Sequence, residues 1–295
     1  MPGTIWRYSG GGYTIAQVLI QDVTGTPFPK LLHDTVLAPI GMTHSTYEQP
    51  LPANRRSEAA TPYGQDGQPV PGGAHTYPEM AAAGLWTTAS DLARYAIEVQ
   101  QSLAGKSNRV LSQAMIRQML TPGLNQWGLG PQTGGGPDRP WFGHGGADEG
   151  FQSYFVAYHD GEGAAILTNG DNGGQIASEI VRSIAREYGW PDFQPVQRTL
   201  RESDSETVGH YTGTYQVAAV DVLVNITKEG AALFAQTTGT GQEKYLLLRT
   251  GEREFLLKEL GALLNFEMDA QGRPTKLLLS HDGQQVTATR MGATR

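Results

Sequence analysis

Residues 141–171 read WFGHGGADEGFQSYFVAYHDGEGAAILTNGD. Two runs rich in aromatic and β-branched residues, FQSYFVAYHD and AAILTN, flank a turn at Gly161 to Gly163, which is the pattern of an antiparallel hairpin. His144-Gly145-Gly146 stands just ahead of it. Downstream, Ile176, Ile180, Ile184 and Ala185 recur at helical spacing, predicting a helix that covers one face of the hairpin sheet. Upstream, Ile15, Val18, Leu19 and Val23 predict an amphipathic helix over Thr14 to Val23, closed by Gly25 in a left-handed cap. A second helix is predicted from Lys30 to Leu37 and ends at Pro39. Thr88 or Ser90 can cap a helix with the apolar face Leu92, Tyr95, Ala96, Val99 and Leu103, and Ser112 one with Met115, Met119 and Leu120 that Pro122 closes. The Pro- and Gly-rich residues 50–85 are too long for an ordinary connection and read as a functional surface loop beside a site. Helices on both sides of an antiparallel hairpin make an α+β domain.

The 295 residues, 39% of them hydrophobic, suffice for one large core or two smaller ones. The pattern changes once. Residues 1–188 form the α+β domain, 189–205 (GWPDFQPVQRTLRESDS) have the prolines and charges of a linker, and 206–295 carry short strands with turn signals at Lys228-Glu229-Gly230, Thr250-Gly251, Asp269 to Pro274 and His281-Asp282-Gly283. A small all-β barrel is expected there. The net charge of −7 and the lack of Lys/Arg blocks argue against nucleic acid. With no cysteine, disulfides, iron–sulfur clusters and thiolate zinc sites are excluded. No apolar run is long enough for a membrane span, and the first residues lack a signal-peptide pattern. A cytoplasmic location is therefore expected as written, periplasmic or secreted if an upstream part is missing.

Three stretches in order, PGTIWRYSGGGYTIAQVLIQDVTGTPF with LAPIGMTHSTY, then AAAGLWTTASDLARY, then residues 141–171, resemble penicillin-binding proteins, serine β-lactamases and related carboxylesterases. The resemblance covers most of residues 1 to 172. It implies a β-lactamase/transpeptidase-like domain with an antiparallel sheet and helices, acting on the ester or amide bond of a small molecule, with no cofactor. Tyr211-Thr212-Gly213-Thr214-Tyr215 resembles the start of lipocalin-like domains appended to some of these hydrolases.

The resemblance assigns Tyr8 as a catalytic base or proton shuttle, within Tyr8-Ser9-Gly10; the family's asparagine is here Gly10, which offers no side-chain amide to a substrate carbonyl. His144-Gly145-Gly146 matches the third motif, and the main-chain N–H of Ala147 becomes one half of the oxyanion hole. Ser9, Gly10, Gly145, Gly146 and Trp86 are expected to line the substrate cleft. The family's nucleophile lies in Ser-x-x-Lys, and no Ser-x-x-Lys or Gly-x-Ser-x-Gly occurs in the chain. Tyr8 stands almost at the start, so the chain reads as an N-terminally truncated domain. A sheet deprived of strands would leave an open edge or apolar face, so a homo-oligomer is expected.

Each residue also has a plainer reading: Tyr8 as a packed aromatic, His144 as a hydrogen-bonded structural histidine, the tryptophans as core. Two other functions compete with the weak hydrolase. One is an inactive module that binds a ligand or partner. The other is a metal-dependent hydrolase built from His144, Asp148, Glu149 and His75, although their spacing matches no standard metal motif.

Overall fold

In the computed structural model, residues 4, 6–218, 222–238, 244–258, 261–281 and 284–292 are described. Two compact units divide at Pro195 and Val196.

The first unit begins with α1 (Gly10–Thr24), whose Ser9 side chain accepts a hydrogen bond from the Gly12 N–H and whose Gly25 adopts φ 64°. That is the N-cap and left-handed C-cap that serine and glycine favour. The helix starts four residues earlier than its apolar period, because glycines 10–12 carry no pattern. Its packing inverts the sequence expectation. Gln17 is the residue it buries, while Ile15, Val18, Leu19 and Val23 stay exposed. The second helix also differs: α2 (Phe28–Leu32) runs into a π-turn (His33–Leu37) and then α3 (Ala38–Ile40), so the chain stays helical through Pro39. Pro39 falls in the first turn of α3, where an N–H is not needed, and the stop is Gly41 at φ 77°.

Residues 50–79 are mostly turns with one 3-10 stretch (Ala53–Glu58), followed by the single turn α4 (Met80–Ala83). Thr88 caps α5 (Ala89–Leu103), and Ser112 caps α6 (Gln113–Met119). The sheet is β1 (Gln132–Gly134), β2 (Trp141–Asp148), β3 (Phe151–Tyr158) and β4 (Gly163–Thr168), antiparallel in that order. The predicted hairpin is β3–β4, and the His144 motif lies inside β2.

Because strand side chains alternate, the two sheet faces bury different partners. Phe142, Phe155 and Ala157 meet Ala96, Val99, Ile116 and Leu120 of the α5–α6 side. Val156, Tyr158 and Ile166 meet Ala177, Val181 and Ala185 of α7 (Gly173–Glu187), together with Trp190. Polar groups fix α5 at two heights. Asp91, with no exposure, accepts from the His44 N–H and Ser45 Oγ at 2.8 Å and from Arg94 Nη1 at 2.5 Å. Gln100 Nε2 donates to the Tyr158 carbonyl at 2.7 Å and the Glu162 carbonyl at 3.0 Å, clamping the helix to the hairpin end.

The stretch 189–205 is divided between the units. Trp190 is 2% exposed in the α7 cluster, whereas the Arg201 N–H donates to the Arg249 carbonyl at 2.9 Å. The second unit has α8 (Ser205–Gly209), N-capped by Asp204, and eight strands: β5 (Gly213–Val217), β6 (Val222–Glu229), β7 (Ala232–Thr237), β8 (Tyr245–Arg249), β9 (Glu254–Leu257), β10 (Ala262–Met268), β11 (Pro274–His281) and β12 (Gln284–Arg290). Each pairs with its sequence neighbour, and β12 pairs with β5, closing an up-and-down barrel without a free edge. Tyr215, Phe255, Phe266, Leu233, Leu264 and Leu277 fill its interior. Each such side chain contributes roughly 1.5–3 kcal/mol by leaving water. The turn signal at Asp282-Gly283 lies outside the described residues.

Candidate active site

A cleft of about 780 Å³ opens where the start of α1, the turn α4 and the far half of β2 meet. The reason lies in the sheet register. β1 pairs only with Trp141 to Gly143, so, among the described residues, 144–148 have β3 on one side and no strand on the other. Alternate main-chain N–H and C=O groups of that segment therefore face open space rather than a ladder.

Tyr8, Gly10, His144, Gly145, Gly146 and Ala147 all line this cleft. Tyr8 and His144, far apart in sequence, have ring centroids 6.1 Å apart, and Trp127 stands 5.6 Å from Tyr8 and 5.2 Å from His144. Trp6 stacks on Trp127 at 5.7 Å. Trp127 is held by an unusual turn in which Asn125 (φ 54°) and Gln126 (φ 60°) are both left-handed. Thr133 Oγ1 donates to the Gln126 carbonyl at 2.8 Å and secures it. The His144 ring Nδ1 donates to the Gly145 carbonyl.

Two expected residues are placed elsewhere. Ser9 does not line the cleft; its hydroxyl caps α1. Trp86 is also absent from the lining, bridging Thr46 and meeting Phe151 edge-on at 6.1 Å. Sequence reasoning passed over Glu79, Thr14, Ala82, Gln152 and Ser153, which do line the cleft. The only available signal was the alternation along β2 and β3, which places His144, Gly146, Asp148 and Ser153 on one face. A Cβ at Gly146 would sit 2.4 Å from Ser153 Oγ, so any side chain there requires that hydroxyl to rotate aside.

The long loop forms a wall. Buried Gln17 donates to the Pro78 carbonyl at 3.1 Å and accepts from the Ala81 N–H at 2.9 Å, so the inverted helix α1 fixes the start of α4 and with it Glu79. The Glu149 N–H donates to Tyr77 Oη at 3.2 Å, and the Gly150 N–H to Asp171 Oδ1 at 2.6 Å. His75 pairs with Glu149 at 3.3 Å. Burial first, and the charge of Glu79 second, hold the Asp148 carboxyl above the ordinary carboxylate range. Burial, opposed by the Glu149 N–H bond and reinforced by the neighbouring carboxylates, raises Tyr77. Among the described residues, no three His, Asp or Glu side chains are grouped to hold a metal ion, and no helix is long and apolar enough to cross a membrane.

The layout of a mixed α/β unit with an antiparallel sheet, and a tyrosine and a His-Gly-Gly strand facing one cleft, defines a penicillin-recognising type of fold. The β-lactamase family model matches residues 1–187, and the chain belongs to that family. It is 28% identical over 233 residues to "Penicillin-binding protein 4" of Amycolatopsis lactamdurans, covering 73% of this chain and 60% of that relative. Among solved structures, the octameric penicillin-binding protein homologue from Pyrococcus abyssi superposes with a TM-score of 0.56 at 18% identity over 97% of this chain and 66% of the other. SurE superposes with a TM-score of 0.55 at 22% identity over 98% and 69%. At those identities the structures establish the fold alone. The chain spans 60% of the length of that curated relative.

Proposed function

We propose that this chain forms the substrate cleft of an ester- or amide-hydrolysing acyl-transfer site. In this reading Tyr8 and His144 handle the proton, and the Ala147 N–H receives the carbonyl oxygen. The observation that carries it is the meeting of Tyr8 and His144 beside the unpaired edge of β2. Ala147 and Gly145 share one alternation along the strand, and the Gly145 carbonyl is free to accept from the His144 ring. That supports a donor role for the Ala147 N–H on the open side, where one such bond contributes about 3 kcal/mol to the transition state. The Nε2 of His144 and the hydroxyl of Tyr8 are suited to passing a proton between leaving group and water.

The 295 residues hold no Ser-x-x-Lys, and no lysine lines the cleft among the described residues. Turnover of an activated aryl ester such as p-nitrophenyl acetate is therefore expected at only ~10^3 to 10^4-fold over water, the residue left when a serine hydrolase lacks its nucleophile. Tyr8→Phe and His144→Ala should each lower that rate by about 10^2-fold. The double variant should lose far less than the product, because the two act on one proton. Wild-type rates in both single variants refute the reading. Ligand binding without any rate gain would make the cleft a binding module. β-Lactam hydrolysis at roughly 10^4 M⁻¹s⁻¹ or more would mean that a nucleophile is present after all.

A further inference from the structure

Tyr8 has little to hold it in place. Its side chain is 61% exposed, and among the described residues its hydroxyl makes no hydrogen bond. Its fixed neighbours are rings: Trp6 at 6.4 Å, His144 at 6.1 Å and Trp127 at 5.6 Å between centroids. His144 in turn meets Trp127 at 5.2 Å with the planes 74° apart. Tyr8, His144 and Trp127 therefore close a triangle. Two of its corners line the cleft and the third, Trp127, does not. Trp127 touches the pair without facing the space that a substrate would fill.

The backbone that carries Trp127 is more constrained than a surface connection needs to be. Asn125 and Gln126 are consecutive non-glycine residues in the left-handed region, and both are exposed, so no packing of their own side chains offsets the strain. Such strain persists where the surroundings over-determine it, and it concentrates at functional sites. Here the bonds lie on both sides of the indole. The Trp127 carbonyl accepts from the Gly123 N–H at 2.8 Å, the Gly128 N–H donates to the Pro131 carbonyl at 2.9 Å, and the Leu129 N–H donates to the Met119 carbonyl at 2.8 Å. Thr133, whose Oγ1 donates to the Gln126 carbonyl, is itself only 5% exposed. A Cβ on Gly128 would run into the Met119 carbonyl oxygen, so the approach of this loop to the end of α6 relies on glycine.

We propose that Trp127 is a positioning residue of this cleft: its indole, set by the left-handed turn at Asn125 and Gln126, holds the Tyr8 phenol against the His144 imidazole. The proposal rests on the acyl-transfer reading for what the pair does, while the holding itself follows from the ring geometry. Aromatic pairs favour tilted and edge-to-face arrangements, so one ring that meets both partners restricts the rotamers of both. Without Trp127 the phenol keeps Trp6 and His144 as neighbours, but Trp6 stacks on Trp127 and loses its own support. A proton-handling group displaced by about 1 Å costs up to about 10^2-fold in rate.

The test follows two readouts in the full chain and in Trp127→Ala, Trp127→Phe and Thr133→Val. One is the NMR nuclear Overhauser effect between the ring protons of Tyr8 and His144, which needs no turnover. The other is hydrolysis of p-nitrophenyl acetate with kcat and KM separated. Trp127→Ala is expected to lose the ring-to-ring signal and to lower kcat by about tenfold to 10^2-fold, with KM changed by less than about threefold. In that background Tyr8→Phe should cost less than about threefold, against about 10^2-fold in the unsubstituted chain, because the phenol is no longer in place. A loss of stability alone would not remove this coupling. Trp127→Phe should restore the signal and most of the rate. Thr133→Val leaves all three rings intact and should weaken both readouts by a smaller factor, so it carries the test if Trp127→Ala does not fold. The proposal is overturned if Tyr8→Phe lowers kcat and a folded Trp127→Ala does not. It is equally overturned if the ring-to-ring signal survives in Trp127→Ala or, where that variant does not fold, keeps its full strength in Thr133→Val. Loss of the signal in Trp127→Ala while Tyr8→Phe and His144→Ala keep the unsubstituted rate removes the acyl-transfer reading and leaves the holding role of Trp127 standing.

Discussion

Replacing Gly150 by alanine is expected to destabilise the first unit far more than replacing Gly67, although the two glycines share one backbone conformation. Their φ angles are 79° and 74°. A left-handed alanine costs about 1–2 kcal/mol, and alanine returns ~0.4–1 kcal/mol by stiffening the unfolded chain. Gly67→Ala, whose Cβ would meet nothing within 4 Å, should therefore cost about 1 kcal/mol. At Gly150 the new Cβ would lie 2.3 Å from Pro62 Cβ and 3.0 Å from both Pro62 Cα and Val70 Cγ2. A proline ring cannot rotate aside, so an overpacking cost of ~1–3 kcal/mol is added, for a total of about 2–4 kcal/mol. The assay is urea denaturation followed by tryptophan fluorescence. All five tryptophans (6, 86, 127, 141 and 190) fall in the first unit, so the barrel does not contribute. With a slope of roughly 1–3 kcal/mol per M, Gly150→Ala should lower the midpoint by about 1–2 M and Gly67→Ala by less than half of that. Equal shifts would refute the argument that the β2–β3 turn is locked against the long loop at Pro62.

Asp148→Asn should raise the first unit's stability at pH 7 and leave it unchanged at pH 3. A carboxyl whose folded pKa is raised contributes stability that is present below its ordinary range and lost as pH rises through the raised value; an unfolding midpoint that moves equally at both pH values would contradict this. Asp91→Ala should cost about 2–4 kcal/mol, since it leaves the buried Ser45 hydroxyl and the His44 N–H without their shared acceptor, while the exposed Arg94 turns to water; a loss under about 1 kcal/mol in the same fluorescence assay would rule that out. The exposed apolar side of α1 should bind a hydrophobic dye and associate, and Val18→Lys should reduce both. A sharply monomeric protein in light scattering with no dye binding would count against it.

The sequence by itself determined the elements whose periods are local. The β3–β4 hairpin, the caps at Ser112 and Gly25, the helix through Ile176 to Ala185 and the barrel's succession of turns follow from φ-specific residues and alternation, which need no distant partner, whereas the choice of Thr88 over Ser90 as the α5 cap came from the structure. The motif strings likewise marked Tyr8 and His144-Gly145-Gly146. What they could not supply was anything that depends on what packs against what. The apolar spacing of α1 is plain in the sequence, yet in the structure its Gln17 is the buried residue, because the loop at Pro78 to Ala81 offers it a carbonyl and an N–H. The helix through Pro39 persists because a π-turn shifts the register by which a proline is judged. Ser9 was read as substrate-binding from its neighbours, but a serine before three glycines satisfies an open helix N-terminus first. The open edge of β2 and the tryptophan beside the Tyr8–His144 pair were settled only by tertiary structure. A cleft is made where strands stop pairing, and nothing in a linear pattern says which strand a neighbour will leave uncovered.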